Sequence, residues 1–205
     1  RDMRVEIIAT APTSPLTGLQ EPDTSRGLLS NALLMLGFFG AYSFMGPHVV
    51  DTLGLTVSAA GLVTFAYGSG FGLAVFLDRF VDRLPPGRAS ALAFAGLLIG
   101  YGLMAFSAQV FMLLLAAAFV WGVFQHFALN AVVARLTALD PAQRGAIMGL
   151  NSASTYLCVL GGAMLFRLPY EAAGWPACLM VSALCAACAC VEALWPRRIT
   201  WSADG

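Results

Sequence analysis

From Gly27 onward the chain alternates between long apolar runs and short polar breaks. Six runs approach the length of a membrane crossing: Leu28–Val49, Ser58–Leu77, Ala89–Ala108, Val110–Val133, Gly145–Phe166 and Gly174–Trp195. A helix rises about 1.5 Å per residue, so roughly 20 residues cross a hydrocarbon core about 30 Å thick. None of the runs alternates strictly, as barrel strands of about ten residues must. In lipid, each segment must satisfy its own backbone N–H and C=O groups or close into a barrel. The pattern therefore predicts an all-α polytopic membrane protein. The breaks ("DTLGLTV", "DRFVDRLPPGR", "ARLTALDPAQR", "RLPYEAAG") are short, and the third and fourth runs nearly touch at Ser107–Gln109. Such tight connections predict one six-transmembrane-helix bundle over 28–195.

Flanking segments differ in kind. Residues 1–27 include "APTSPLTGLQEPDTSRG", rich in Pro, Thr, Ser and Gly, and read as a polar linker or tail. Residues 196–205 read as a second tail. No leader pattern follows Arg1, and a start without Met suggests a fragment or a processed chain.

Composition sharpens the picture. The chain is 59% hydrophobic and 11% charged, against about 25% charged in soluble domains, which excludes a water-soluble protein. Zero formal net charge removes the electrostatic case for nucleic acid. All 11 basic residues are Arg. With six spans, one side receives Arg1, Arg4, Arg26, Arg79, Arg83, Arg88, Arg135, Arg144, Arg197 and Arg198, and the other only Arg167. The positive-inside rule then places both termini in the cytoplasm, and the expected location is a bacterial-type inner membrane.

Much of the charge sits in "LDRFVDRLPPGR", residues 77–88. These residues stop the second helix, and Pro85–Pro86 keeps it from continuing into the third. Gly68, Gly70 and Gly72 just before it offer a small-residue surface for a neighbouring helix. "AVFLDRFVDR" resembles the Gly-x-x-x-Asp-Arg-x-Gly-Arg-Arg loop of the major facilitator superfamily, in the C-terminal six-helix half. Asp78 and Arg79 match the central pair; Ala74 and Val81 replace the two glycines. "LGLTVSAAGLVTFAYGSG", with Ala60–Gly61, is similar to the start of the second helix of that half. "RGAIMGLNSASTYLCVLGGAM" is similar to its fifth helix, with Gly145 and Gly149 spaced for close packing. The resemblance implies a secondary transporter working by alternating access against an N-terminal six-helix half. Asp78, Arg79, Asp82 and Arg83 would form a cytoplasmic gating loop. The partner of Asp78, and a matching Asp for the Arg144–Gly145 turn, would lie outside this chain.

Polar residues within spans are costly and mark candidate sites. Gln125, His126 and Asn130 in "WGVFQHFALN" are candidates for a substrate cavity, and His126 for carrying a proton; hydrogen bonding to neighbouring helices explains them equally. His126 and Asn130 share a helix face. Asn151 and Thr155 share another, where packing and ligand contact are equally served. Asn31, Tyr42 and Tyr67 complete the set; by resemblance the first, second, fourth and fifth helices of a half face the cavity. No Asp, Glu or Arg lies deep in a span: His48 and Asp51 fall near the outer surface, and Glu192 near the arginine-rich end of the last helix.

Enzyme chemistry finds no support. "GLNSAST" lacks the glycine spacing of a nucleophile elbow, and no HExxH or paired carboxylates occur in a span. Cys185, Cys188 and Cys190 behave as small apolar residues rather than a zinc site, which wants four ligands. No cofactor or metal is expected. The partners expected are the lipid bilayer, a small neutral or apolar solute, and an N-terminal half or another membrane subunit. The alternative function is a transport-inactive structural or assembly subunit of a larger membrane complex.

Overall fold

A computed structural model describes residues 18–19, 22–81 and 83–195. The helices are α1 (Pro22–Pro47), α2 (Val57–Leu73), α3 (Asp78–Val81), α4 (Pro86–Ser107), α5 (Phe111–Thr137), α6 (Arg144–Ala173) and α7 (Trp175–Leu194), with no strand among the described residues. A π-turn over His48–Thr52 prolongs α1, and a 3₁₀ turn over Ala74–Leu77 joins α2 to α3. Six helical stretches are long and apolar enough to cross a membrane: Asp23–Thr52, Val57–Val81, Gly87–Ser107, Phe111–Thr137, Arg144–Ala173 and Trp175–Leu194. Each contains or closely follows one of the six apolar runs. Several helices outlast their runs, because hydrogen bonding continues into turns whose polar side chains reach beyond the apolar zone. The break "RLPYEAAG" is the clearest case. Arg167 and Glu171 pair across one helical turn at 2.6 Å, and α6 stops only at Gly174, whose φ of +74° favours glycine.

The helices form two layers. In front lie α2, α5, α1 and α6 in that order; behind, α4 packs on α5 and α7, and α7 packs on α1. Exchanging the first three spans for the last three maps α1–α6 onto α5–α2 and α1–α7 onto α5–α4. Equivalent spans run in opposite directions. The bundle is thus an inverted repeat, an arrangement common among secondary transporters.

Glycines set both outer crossings of the front layer. A Cβ on Gly70 would strike the carbonyl oxygen of Phe119, and one on Gly122 that of Tyr67, so α2 and α5 touch backbone to backbone. At the equivalent crossing, a Cβ on Gly40 would strike the Phe166 ring, and one on Gly162 would come within 3.0 Å of Phe39. Of the small-residue surface read from the sequence, Gly70 alone is used this way. A Cβ on Gly68, Gly72, Gly145 or Gly149 would meet nothing within 4 Å among the described residues.

The core runs between the layers, around Phe94, Leu97, Tyr101, Met104, Leu114 and Trp121. At the end opposite the arginines, Trp175 donates its indole N–H to the Ala41 carbonyl at 2.8 Å. His48 stacks on Trp175 with ring centres 4.7 Å apart, and its Nε2 lies 2.8 Å from the Ala108 carbonyl. His48 is therefore buried within the bundle end opposite the arginines, the end at which the sequence pattern sets it. Only 17% of the most apolar stretch is buried in the second and fifth spans, against 33–50% in the others. The flanks of the front layer are the least covered of the described spans.

Candidate functional site

The 3₁₀ turn tightens the second span just before Asp78, and the glycine crossing holds that span against α5. Together they bring Asp78 onto His126, whose Nε2 lies 3.0 and 3.1 Å from the two carboxylate oxygens. A carboxylate only accepts, so Nε2 carries the proton of this contact. Asn130 Nδ2, one turn along α5, is 2.9 Å from the same nitrogen, which cannot accept from it while donating to Asp78. Nδ1 is buried without a partner, and the ring meets Phe71 edge-on at 5.0 Å. The resemblance had implied a partner for Asp78 outside this chain; the structure supplies one on α5.

Arg79 and Arg83 point elsewhere. Both are exposed and lie over the Phe80 ring, at 4.7 and 5.9 Å from its centre. Asp82, also assigned to the gating loop, lies outside the described residues. Arg144, read as awaiting a distant Asp, donates its Nε–H to the Thr137 carbonyl at 3.1 Å.

The remaining candidates fall into separate groups. Asn31 is fully buried and donates from Nδ2 to Thr155 Oγ1 at 3.1 Å and, more weakly, to the Asn151 carbonyl at 3.4 Å. These three residues form one α1–α6 cluster, in which the side-chain oxygens of Asn31 and Asn151 have no partner among the described residues. Tyr42 and Tyr67 meet through Phe38, which stacks on Tyr42 at 5.3 Å and lies 5.4 Å from Tyr67. Trp121 is 4.7 Å from Tyr67, and Phe71 carries this half-buried aromatic band on to His126. Gln125 is buried beside His126, its side-chain oxygen unpartnered. Cys185 is buried while Cys188 faces outward, so the cysteines of α7 do not converge.

Sequence reasoning missed the largest polar cluster. Arg135 binds Glu192 through both terminal nitrogens, at 2.8 and 2.9 Å. Arg26 Nε reaches the same carboxylate at 2.8 Å, and Ser30 Oγ donates to it at 2.5 Å. Arg26 also donates to the Glu192 carbonyl at 3.0 Å and lies 3.9 Å from Asp23. One carboxylate thus ties together the arginine-rich ends of α1, α5 and α7. The available signal was chemical: Arg135 and Glu192 carry opposite charges at the arginine-rich ends of two spans, and charges there pair with one another.

Beside Arg135, at the same end, lies a cavity of about 330 Å³. Asp78, Asn130 and Arg135 give it polar walls, and Phe127, Leu84 and Leu139 apolar ones.

Comparison with known proteins is consistent with this architecture. The sequence model of the Major Facilitator Superfamily matches residues 27–200. The chain is 30% identical over 153 residues to the uncharacterized MFS-type transporter YwfA of Bacillus subtilis (strain 168), covering 75% of this chain and 36% of that protein. It is 37% identical over 123 residues to the chloramphenicol resistance protein of Streptomyces lividans, covering 58% of this chain and 30% of that one. The chain thus spans about a third of the length of the curated relatives it matches. It belongs to the major facilitator superfamily and is an integral membrane protein.

Proposed function

We propose that this member of the major facilitator superfamily is the C-terminal half of a secondary transporter that moves a small neutral or apolar solute by alternating access. Both termini would then be cytoplasmic, in a bacterial-type inner membrane, with the arginine-rich end facing inward. The observation that carries this reading is the front layer. It gathers every polar candidate of the spans while its flanking helices, α2 and α6, are the least buried. Open glycines at 68, 72, 145 and 149 would let a second bundle approach closely along those flanks. Around an inverted-repeat axis, rocking of the two halves would expose the midplane alternately to each side.

Within that frame Tyr42, Tyr67, Gln125, His126 and Asn130 would line one side of the solute path, and Asn31, Asn151 and Thr155 the other. The half-buried rings of Phe38, Tyr42 and Tyr67 favour a solute with a planar apolar face. Asp51, Arg79, Arg88 and Arg144, the charged side chains without an ion-pair partner among the described residues of the spans, all lie at span ends, so the middle of the bundle does not call for an ionic one. The likeness to a chloramphenicol resistance protein makes chloramphenicol a suitable first solute.

The test is flux. The complete gene product in proteoliposomes should drive counterflow of chloramphenicol or another neutral aromatic solute, and Tyr67→Ala should abolish it. Absence of counterflow for a panel of neutral solutes, with robust counterflow of organic anions, would refute the solute class. Purification in stoichiometric association with an unrelated membrane complex, and no flux of any kind, would refute transport.

A further inference from the structure

We propose that the cavity of about 330 Å³ at the arginine-rich end of α5 is a binding site for a small amphipathic amine, separate from the solute path. The segment joining the second span to α4 supplies Asp78, Leu84 and Ala89 to its wall, and α5 supplies Phe127, Asn130 and Ala134. The inference goes beyond the transport reading and does not depend on it.

Size and lining define the body of the occupant. The volume falls at the lower end of the range for small-molecule sites, about 300–1,000 Å³. Apart from Asp78, Asn130 and Arg135, every lining residue is apolar. An occupant therefore pairs an apolar body with a single polar head. Phe127, whose ring meets that of His126 edge-on at 5.7 Å, offers the body an aromatic neighbour.

The three polar residues decide the head. Arg135 is already engaged: both terminal nitrogens bind Glu192, and its side chain is 4% exposed. Nearby cations stay out of the lining. Arg79 and Arg83 lie over the Phe80 ring, and Arg88 is exposed at the start of α4. Asp78 keeps capacity to spare. A carboxylate offers about four lone-pair positions, and the one Nε2–H of His126, shared between the two oxygens, takes two at most. The Asp78 side chain is 30% exposed and borders the cavity, so its remaining lone pairs are open to an occupant. Asn130 is exposed at the same wall, and its carboxamide gains nothing from a ring nitrogen that is already donating. The one charge that borders the cavity with lone pairs to spare is thus negative. A primary ammonium, with three donors and no acceptor, matches this wall; a carboxylate, with acceptors only, opposes it.

The site stands apart from the aromatic band. Ala131, near the centre of the α5 wall, lies about 15 Å along the helix from Trp121, and the cavity shares no residue with Phe38, Tyr42, Tyr67 or Trp121. Bound here, an amine touches the end of the second span, α4 and α5 at once and braces them.

The test is binding by the whole gene product in phosphatidylcholine nanodiscs, followed by fluorine NMR near neutral pH. The probes are para-fluorophenylbutylamine, the matching alcohol and the matching carboxylate, with empty nanodiscs giving the lipid background. The amine should bind about tenfold or more tightly than the alcohol, and the carboxylate most weakly. Asp78→Asn should bring the amine to within about threefold of the alcohol. Ala134→Phe, which fills the cavity, should abolish binding of all three. Ala138→Phe replaces it if that variant does not fold, and the order of the three probes in the wild type decides if Asp78→Asn does not. Equal affinity for amine and carboxylate, or amine binding that survives the filled cavity, overturns the proposal. So does amine binding lost in Tyr67→Ala but kept in Ala134→Phe, which would move the amine to the aromatic band. No readout needs flux. The expected order of binding without flux of any solute would sink only the transport reading, and flux without that order only this one.

Discussion

Replacing Glu192 by Gln should be among the most damaging conservative changes in this protein. The Arg135 side chain is 4% exposed and that of Glu192 is 11% exposed, so the pair is shielded from solvent on both sides. Glutamine keeps one acceptor oxygen but points its amide N–H groups at guanidinium donors and removes the neutralising charge. Breaking a buried pair by removing one partner costs about 3–5 kcal/mol, because the stranded charge remains. Asp23 lies 3.9 Å from Arg26 and softens the loss there but does not reach Arg135, so the lower figure, about 3 kcal/mol, applies. For a domain of this size each kcal/mol moves the thermal midpoint by about 2–4 °C. The expected drop is therefore about 6–12 °C, read by tryptophan fluorescence at a fixed scan rate and detergent composition. The same logic predicts rescue: Arg135→Met with Glu192→Leu fills similar volume without charge and should recover most of the loss. A Glu192→Gln midpoint within about 2 °C of wild type, or a double variant as unstable as the sum of the single ones, would refute the buried-network account.

Three further outcomes are expected from the packing. Gly70→Ala should reduce the yield of monodisperse protein, because its Cβ meets a carbonyl on α5, whereas Gly68→Ala, in open space, should be nearly neutral; size-exclusion profiles compare them, with about 1–3 kcal/mol expected for the first. Trp175→Phe should cost about 1–2 kcal/mol by leaving the Ala41 carbonyl buried without its 2.8 Å donor, seen as a lowered thermal midpoint. Thr56→Ala, which removes the hydroxyl that accepts from the Ala59 N–H at 3.3 Å, should cost about 1 kcal/mol and fray the start of α2, measured by local hydrogen exchange.

The glycines show how legibility divides. Gly68, Gly70, Gly72, Gly145 and Gly149 look alike in the chain, yet Gly70 is pressed against α5 while the other four meet nothing within this bundle. Small-residue spacing announces that close approach is possible; which face meets which helix depends on rotation and crossing, which no local pattern encodes. Polar candidates behave similarly. His126 and Asn130 were paired by helical spacing, and the structure keeps them together. Asn31 joined Asn151 and Thr155 only because α1 lies against α6. Asp78 was assigned a distant partner because loop resemblance speaks to sequence neighbours and says nothing of α5.

What the sequence determined by itself is the number and type of elements and their separation into apolar spans and polar breaks. Hydrocarbon thickness and the need to satisfy every backbone group leave an apolar run of about 20 residues little choice but a helix. The arginine asymmetry was likewise complete in the chain. What only the tertiary structure decided is the partnership of charges. Arg26, Ser30, Arg135 and Glu192 lie on three helices, up to 166 positions apart. They converge because a carboxylate and a guanidinium inside a bundle must find each other. That requirement acts through space, after the helices have packed, and leaves no spacing in the sequence to read.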